Sequence, residues 1–217
     1  MYLVRSSFLA KRLYPKAVWR ENAVQNKLFL TFDDGPVQGI TDFVLDTLKR
    51  NRIKATFFCV GENIQKNPVL YQRIIEEGHV TGNHTFNHVN GWNTHTTDYL
   101  HNVAYCQKVL LEYSQQTGGN DSIRSISLFR PPYGRLKRSQ YRSLLSNYKI
   151  VMWDVLSGDY DKNTSPEKCL SNVVNNARKG SVIVFHDSVK AQRNMEYALP
   201  RFINDALAKG YEFDVLR

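Results

Sequence analysis

From residue 27 onward, short apolar runs alternate with segments whose apolar residues recur at helical spacing. The runs at 27–32, 55–60, 79–83, 126–129, 149–153, 181–185 and 211–215 read as strands. The intervening segments read as helices. One opens with Thr41 as its cap and carries Val44, Leu45 and Leu48. A second, 67–77, starts at Asn67-Pro68 and stops at Gly78. A longer one starts at Thr96 or Thr97, carries Leu100, Val103, Ala104, Leu110 and Leu111, and ends at Thr117-Gly118-Gly119-Asn120. Three more are expected at 139–146, from Ser165-Pro166 to Gly180 with Leu170, Val173, Val174 and Ala177 on one face, and at 197–209.

Strands alternating with helices imply an α/β fold with a parallel sheet. An open sheet and a closed barrel both fit that order. Asp33-Asp34, His84, Arg130, Asp154 and His186 all fall at or just past strand ends. A barrel gathers those ends on one face, where active sites sit, whereas an open sheet strings them out. The expected fold is therefore a (β/α) barrel, distorted or incomplete because the chain has only 217 residues. Residues 27–217 are expected to form a single domain, with residues 1–26 as an extension packing on the barrel and covering one end.

Two acids side by side at a strand end repel each other unless a positive group lies close. A metal ion and an arginine are the natural candidates; the plain alternative is a solvated turn, because Asp, Gly and Pro all favour turns. His84 and His88 lie four residues apart, so one turn can aim both rings at one point. With Asp34 they make two histidines and a carboxylate, a set that leaves coordination positions open for water and substrate. That favours a single catalytic divalent metal, zinc first, with iron, cobalt and manganese also compatible. Asp33 is then free to take a proton from an activated water. His186, ending the run Val184-Phe185, suits a general acid; a third ligand or a structural histidine is the alternative. Among the nearby aromatic residues, Phe86 and Trp153 are expected in the core, while Trp92 could equally pack in the core or stack on a ligand.

Net charge and cysteine usage narrow the partners. Lys and Arg number 29 against 20 Asp and Glu, for a net charge of +9. That suits an acidic partner, or simply a basic surface. Only Arg135-Leu136-Lys137-Arg138 forms a tight basic group, and no nucleic-acid signature is present, so no nucleic-acid partner is expected. Cys59, Cys106 and Cys169 are widely spaced and fall on strand or helix apolar positions, which suits buried free thiols in a reducing compartment. Arg5, Lys11 and Arg12 interrupt the N-terminal region before it reaches signal-peptide length, and no run reaches membrane-spanning length. The expectation is a cytoplasmic protein with no membrane span, export by another route being the alternative.

Thr31–Pro36, His84–His88, Arg130–Gly134, Trp153–Tyr160 and Val184–His186 resemble, in order and approximate spacing, the five signature segments of the NodB-type polysaccharide deacetylases, also called carbohydrate esterase family four. The resemblance covers residues 28–213. It implies metal-dependent removal of acetyl groups from N-acetylated, in some cases O-acetylated, carbohydrate. By resemblance, Asp33 is the base, Asp34, His84 and His88 hold the metal, and Arg130 holds Asp33 ionised. The backbone N–H of Tyr133 serves the oxyanion, Asp159 positions the arginine, and His186 protonates the departing amine. Pro131, Pro132, Tyr160, Val184 and Trp92 are expected to shape the substrate pocket. Tyr160 stands where the family has Trp, and Val184 where it has Leu, so the pocket for the acetyl methyl differs in shape.

The implied partner is an acetylated glycan or amino sugar. Two readings of other kinds compete: a catalytically silent glycan-binding module of the same fold, and a hydrolase of non-sugar amides on the same scaffold. The complete set of acids, histidines and arginine argues against the first, and the paired-Asp, two-His pattern against the second. Asp154 has no role by resemblance and is expected either to support Arg130 or substrate, or to be a buried, hydrogen-bonded carboxylate. A carboxylate such as Asp187 or Asp154 is expected beside His186.

Overall fold

A computed structural model describes residues 3–22, 25–115 and 127–217. The N-terminal segment carries a short helix α1 (Phe8–Leu13). The chain then runs β1 (Lys27–Asp33), α2 (Ile40–Arg50), β2 (Thr56–Cys59), α3 (Gly61–Lys66), α4 (Pro68–Glu76), β3 (Val80–Asn83) and α5 (Thr96–Gln115). It continues through β4 (Ser127–Phe129), α6 (Arg138–Leu144), β5 (Tyr148–Ile150), β6 (Val155–Leu156), α7 (Pro166–Val174), β7 (Val182–His186), α8 (Gln192–Ala208) and β8 (Glu212–Asp214).

The strands pair in the order β5-β4-β3-β2-β1-β7-β6, every pairing parallel, and β8 pairs with the first half of β1. The result is a parallel half-barrel surrounded by helices, as expected for an incomplete barrel. Alternation along β1 explains how it serves two layers. Leu28, Leu30 and Phe32 join the large core beneath the helices, where Phe32 stacks on Phe57 at 5.0 Å. Phe29 belongs instead to a smaller cluster with Phe58, Leu128, Val151, Val182 and Leu216. Thr31 and Asp33 have the same parity as Phe29, so they share its face, and Asp33 emerges at the carboxyl end of that face.

The terminal strands of the sheet order, β5 and β6, leave a gap that the N-terminal segment spans. Arg5 forms an antiparallel bridge with Val155, and Val18 a parallel bridge with Val151. Leu156 N donates to Val4 O at 2.8 Å and Val18 N to Ile150 O at 2.8 Å. Open sheet edges are thereby covered by backbone from the same chain.

Several elements depart from the sequence reading. Thr41 lies inside α2, which Gly39 caps; the Thr41 hydroxyl bonds Asp187 Oδ2 at 2.6 Å instead. Asn67 occupies the cap position before Pro68, but its side chain donates to Pro36 O and Asn63 O. Helix α8 begins at Gln192, five residues before the expected start, and runs through Pro200. Strand β5 ends at Ile150, and Asp154 precedes β6 rather than ending a strand. Its carboxylate accepts from Ser181 Oγ at 2.8 Å and from Arg178 at 3.3 Å, with Arg5 at 3.8 Å. Asp154 is therefore a buried, hydrogen-bonded carboxylate that supports neither Arg130 nor His186. The expected closure of α5 at residues 117–120 and the start of β4 at residue 126 lie outside the described residues. All three cysteines are buried and free, as expected.

Candidate active site

Strand β1 ends in a sharp turn. Asp33 keeps the strand's alternation, but Asp34 adopts φ 86°, which swings its carboxylate away from that of its neighbour. Few residues other than glycine tolerate this conformation, though Asp and Asn tolerate it best. Gly35 follows because nothing larger fits: a Cβ there would lie 1.8 Å from Asp187 Oδ2. Asp187 accepts from Gly35 N at 3.0 Å and from Thr41, so this carboxylate clamps the turn.

On one side, Asp33 meets a fully buried arginine. Arg130 Nη1 donates to Asp33 Oδ1 at 2.6 Å and to Thr31 Oγ1 at 2.8 Å. Nη2 donates to Met152 O at 2.9 Å, and the guanidinium carbon lies 4.1 Å from the centre of the Phe58 ring. The contact with Asp33 uses one nitrogen rather than the two-pronged geometry common for this pair. Thr31 and the carbonyls of Val151 and Met152 position Arg130; Asp159, expected in that role, does not touch it.

In the centre, one ligand atom from each of Asp34, His84 and His88 lies within 4.8 Å of the others. His84 Nδ1 is 2.7 Å from Arg130 O. A carbonyl only accepts, so that nitrogen carries the ring proton and Nε2 presents a lone pair. This lone pair faces Asp34 Oδ1 at 3.7 Å, while His88 Nε2 lies 3.1 Å from the same oxygen. Asp34 Oδ1 is buried with no hydrogen-bond partner. Burial lowers the His84 pKa to about 4, so the ring is neutral at pH 7. Burial alone would raise the Asp34 pKa, but His88, His186 and His84 hold it well below the usual carboxylate range. A buried carboxylate oxygen that faces two imidazole nitrogens, that of His84 with its lone pair forward, fits a bound cation. Thr85 and His88 also adopt positive φ, 64° and 54°, and the loop is held by Asn83 and Asn102, whose side chains accept from Thr85 N and Phe86 N. Neither asparagine was singled out in the sequence, although Asn83 immediately precedes the first histidine.

On the other side stands His186. Its backbone N donates to Asp159 Oδ2 at 2.7 Å, and its Nδ1 lies 2.8 Å from Asp159 Oδ1. Asp159 is fully buried and holds this histidine, rather than Arg130, by two contacts; it fills the place expected of Asp187 or Asp154. Burial lowers the His186 pKa, but Asp159, with Asp34 and Asp33 behind it, more than offsets this and lifts it to about 9. The imidazole is therefore protonated at pH 7.

A cleft of about 960 Å³ joins these groups. Pro131, Tyr160 and Val184 line it, and Tyr160 packs edge-on against the His186 ring at 4.9 Å. Pro132 and Trp92 do not line it: Pro132 is buried, and Trp92 is 54% exposed with its ring nitrogen donating to Leu136 O. Trp153 lines the cleft rather than only packing in the core. Tyr133 adopts φ 59° and brings its hydroxyl within 3.1 Å of His88 Nδ1. One wall comes from the N-terminal segment, through Leu3, Arg5, Ala10, Tyr14 and Trp19. No motif in the sequence pointed to that wall.

A parallel half-barrel with two histidines and an aspartate converging at its strand ends defines a class of α/β protein equipped to hold a metal ion beside paired acids and bases. The sequence model for polysaccharide deacetylase matches residues 20–153, and the chain belongs to that family. It is 34% identical over 189 residues to a peptidoglycan-N-acetylglucosamine deacetylase of Bacillus cereus, covering 86% of this chain and 66% of that protein. Chitin deacetylase 2 of Saccharomyces cerevisiae is 33% identical over 190 residues, covering 83% of this chain and 56% of that protein. The chain thus spans just under two thirds of the first relative's length and less of the second's. The crystal structure of the Bc1960 peptidoglycan N-acetylglucosamine deacetylase, in complex with a substituted N-oxidanyl-benzamide, superposes with a TM-score of 0.84 at 31% identity, covering 97% of this chain and 95% of that one.

Proposed function

We propose that this protein hydrolyses the acetamido group of N-acetylated carbohydrate, with a divalent metal, zinc first, held by Asp34, His84 and His88. The observation that carries this reading is the unpaired Asp34 oxygen facing two imidazole nitrogens. An Asp–Arg pair stands on one side and a His–Asp pair on the other. A metal bound there would supply Lewis-acid polarisation of the acetyl carbonyl and make water acidic enough to attack near neutral pH. Asp33 takes the proton from the attacking water, its carboxylate steadied by Arg130. The backbone N–H of Tyr133 donates to the carbonyl oxygen as charge develops there. His186, its Nδ1 tied to Asp159, uses Nε2–H to protonate the departing nitrogen. An O-acetyl group is a second substrate of the same machinery, less dependent on that last proton.

Acetylated glycans are the substrate class we infer, because the relatives are named for peptidoglycan and chitin. Residues 27–217 act as a single domain in this reading, with residues 1–26 packed on it. Buried free thiols suit a reducing compartment. Among the described residues no helix is long and apolar enough to cross a membrane. Acetate release from a panel of N- and O-acetylated oligosaccharides, before and after chelation and with each metal restored, tests the proposal. Release that disappears on chelation and returns with metal is expected; release indifferent to chelation, or none from any glycan, would overturn it.

A further inference from the structure

Apart from the site's own aspartates and histidines, the charged side chains that line the cleft are all cationic: Arg5, Lys66, Arg135 and Lys190. Two of these cations have a carboxylate within 4 Å. Arg5 faces Asp154 at 3.8 Å, and Lys66 pairs with Glu62 at 2.8 Å. Among the described residues Arg135 and Lys190 enter no ion pair, and of the two Arg135 has the fixed position.

Arg135 is held from both ends. Its backbone N donates to Pro132 O at 3.1 Å, and Gly91 packs so closely that a Cβ there would lie 2.4 Å from Arg135 O. Its guanidinium carbon lies 4.9 Å from the Trp92 ring centre and 5.9 Å from that of Tyr133. The Trp92 ring is itself anchored by its bond to Leu136 O. Aromatic faces hold a guanidinium by cation–π attraction and leave its N–H edge free for an oxyanion. The backbone contacts fix this loop without the guanidinium, so the fold does not require the charge. Tyr133 in turn touches His88, which places Arg135 one side chain away from the proposed metal ligands.

We propose that Arg135 is a specificity-determining residue that receives an anionic substituent, a carboxylate or a phosphate, carried by the glycan close to the acetamido group under attack. The proposal rests on the deacetylase reading and deepens it: the substrate is an acidic, not a neutral, N-acetylated glycan. A guanidinium meets either oxyanion through two parallel N–H bonds. This also gives Trp92 a function that its absence from the cleft wall would otherwise leave open, as the platform for Arg135.

The test compares three oligosaccharides with one N-acetylated backbone: neutral, carboxylate-bearing and phosphate-bearing. Acetate release is measured with the metal-loaded wild type, Arg135→Gln and Arg135→Lys, at low and high salt. The wild type is expected to prefer one or both acidic substrates, and the preference to shrink at high salt. Arg135→Gln should lower kcat/KM on the preferred acidic substrate about tenfold, through KM, and stay within about twofold on the neutral one. Arg135→Lys should recover part of the loss. Equal losses on neutral and acidic substrates, or a wild type without preference, would overturn the proposal. If the wild type releases acetate from none of the three, the deacetylase reading fails and titration of the same oligosaccharides decides the subsite separately. Weaker binding of an acidic oligosaccharide to Arg135→Gln than to wild type would then sustain it; equal binding would overturn it.

Discussion

The two flanks of the Asp34, His84, His88 cluster are both buried pairs of opposite charge, yet they are built in opposite senses. On the Asp33 flank the partner is a guanidinium, which stays charged, and the carboxylate is the group exposed to the cleft. On the His186 flank the partner is a fully buried carboxylate, and the imidazolium is the group exposed to the cleft. Each flank turns one member toward the cleft, the one that exchanges a proton in the proposed reaction, and hides the member that holds it. In the proposed reaction the difference would set a base and an acid on either side of one metal site, the hidden partner deciding which way the proton moves.

Removing the exposed member of the first flank should cost most. Asp33→Asn keeps the shape and removes the base, so turnover should fall by about 10²–10⁴. Metal content measured by plasma emission should stay unchanged. Loss of metal in that variant would show that Asp33, not Asp34, is the ligand. Removing the hidden member of that flank should register chiefly in stability. Arg130→Met strands Asp33, Thr31 and two carbonyls in a dry interior, and breaking a buried pair from one side costs about 3–5 kcal/mol. Urea unfolding measures this; a loss below about 1 kcal/mol would mean the flank is open to water.

Removing the hidden member of the second flank should act on pH instead. With the His186 pKa raised from 6.5 to about 9, the pair's contribution to stability is fully present below 6.5 and is lost as pH rises through about 9. In Asp159→Asn that fall should move to lower pH, as followed by unfolding at a series of pH values and by the His186 ring signals in NMR. A metal cation on Asp34 offsets part of that carboxylate's pull on His186, so the titration should come at lower pH in metal-loaded than in metal-free protein. The smallest expected change sits outside both flanks. Gly35→Ala forces a Cβ against Asp187, and overpacking of this kind costs about 1–3 kcal/mol. Differential scanning calorimetry would register it as a lowered Tm.

The first flank was more legible in the sequence than the second. A continuous apolar run ending in two acids and Gly-Pro marks β1 and its turn, and the i, i+4 histidines joined to Asp34 give a candidate ligand set by type and spacing. The Asp159–His186 pairing was not legible, because Asp159 lies in a turn past the two-residue strand β6 that no pattern marks, and only the position of β7 beside β6 brings the two together. Asp154 misled for a related reason. The run at 149–153 looks like one strand, but β5 stops at Ile150, Val151 pairs with Val18, and a two-residue strand too short to leave a pattern begins just after Asp154. Helix α3 went unseen because only Ile64 gives its six residues an apolar side chain to bury. The N-terminal cleft wall depends on backbone bridges to both edges of the sheet, which no local pattern encodes.

The most direct test of the opposed flanks is the pH–rate profile of acetate release from an N-acetylated oligosaccharide, measured for metal-loaded wild type and His186→Ala side by side. The wild type should give a bell whose alkaline limb lies at or below about 9, reporting the coupled site rather than one residue. His186→Ala should be at least about a hundredfold slower and lack that limb. A variant that keeps both the limb and most of its rate would remove His186 from the reaction and leave the second flank a purely structural pair.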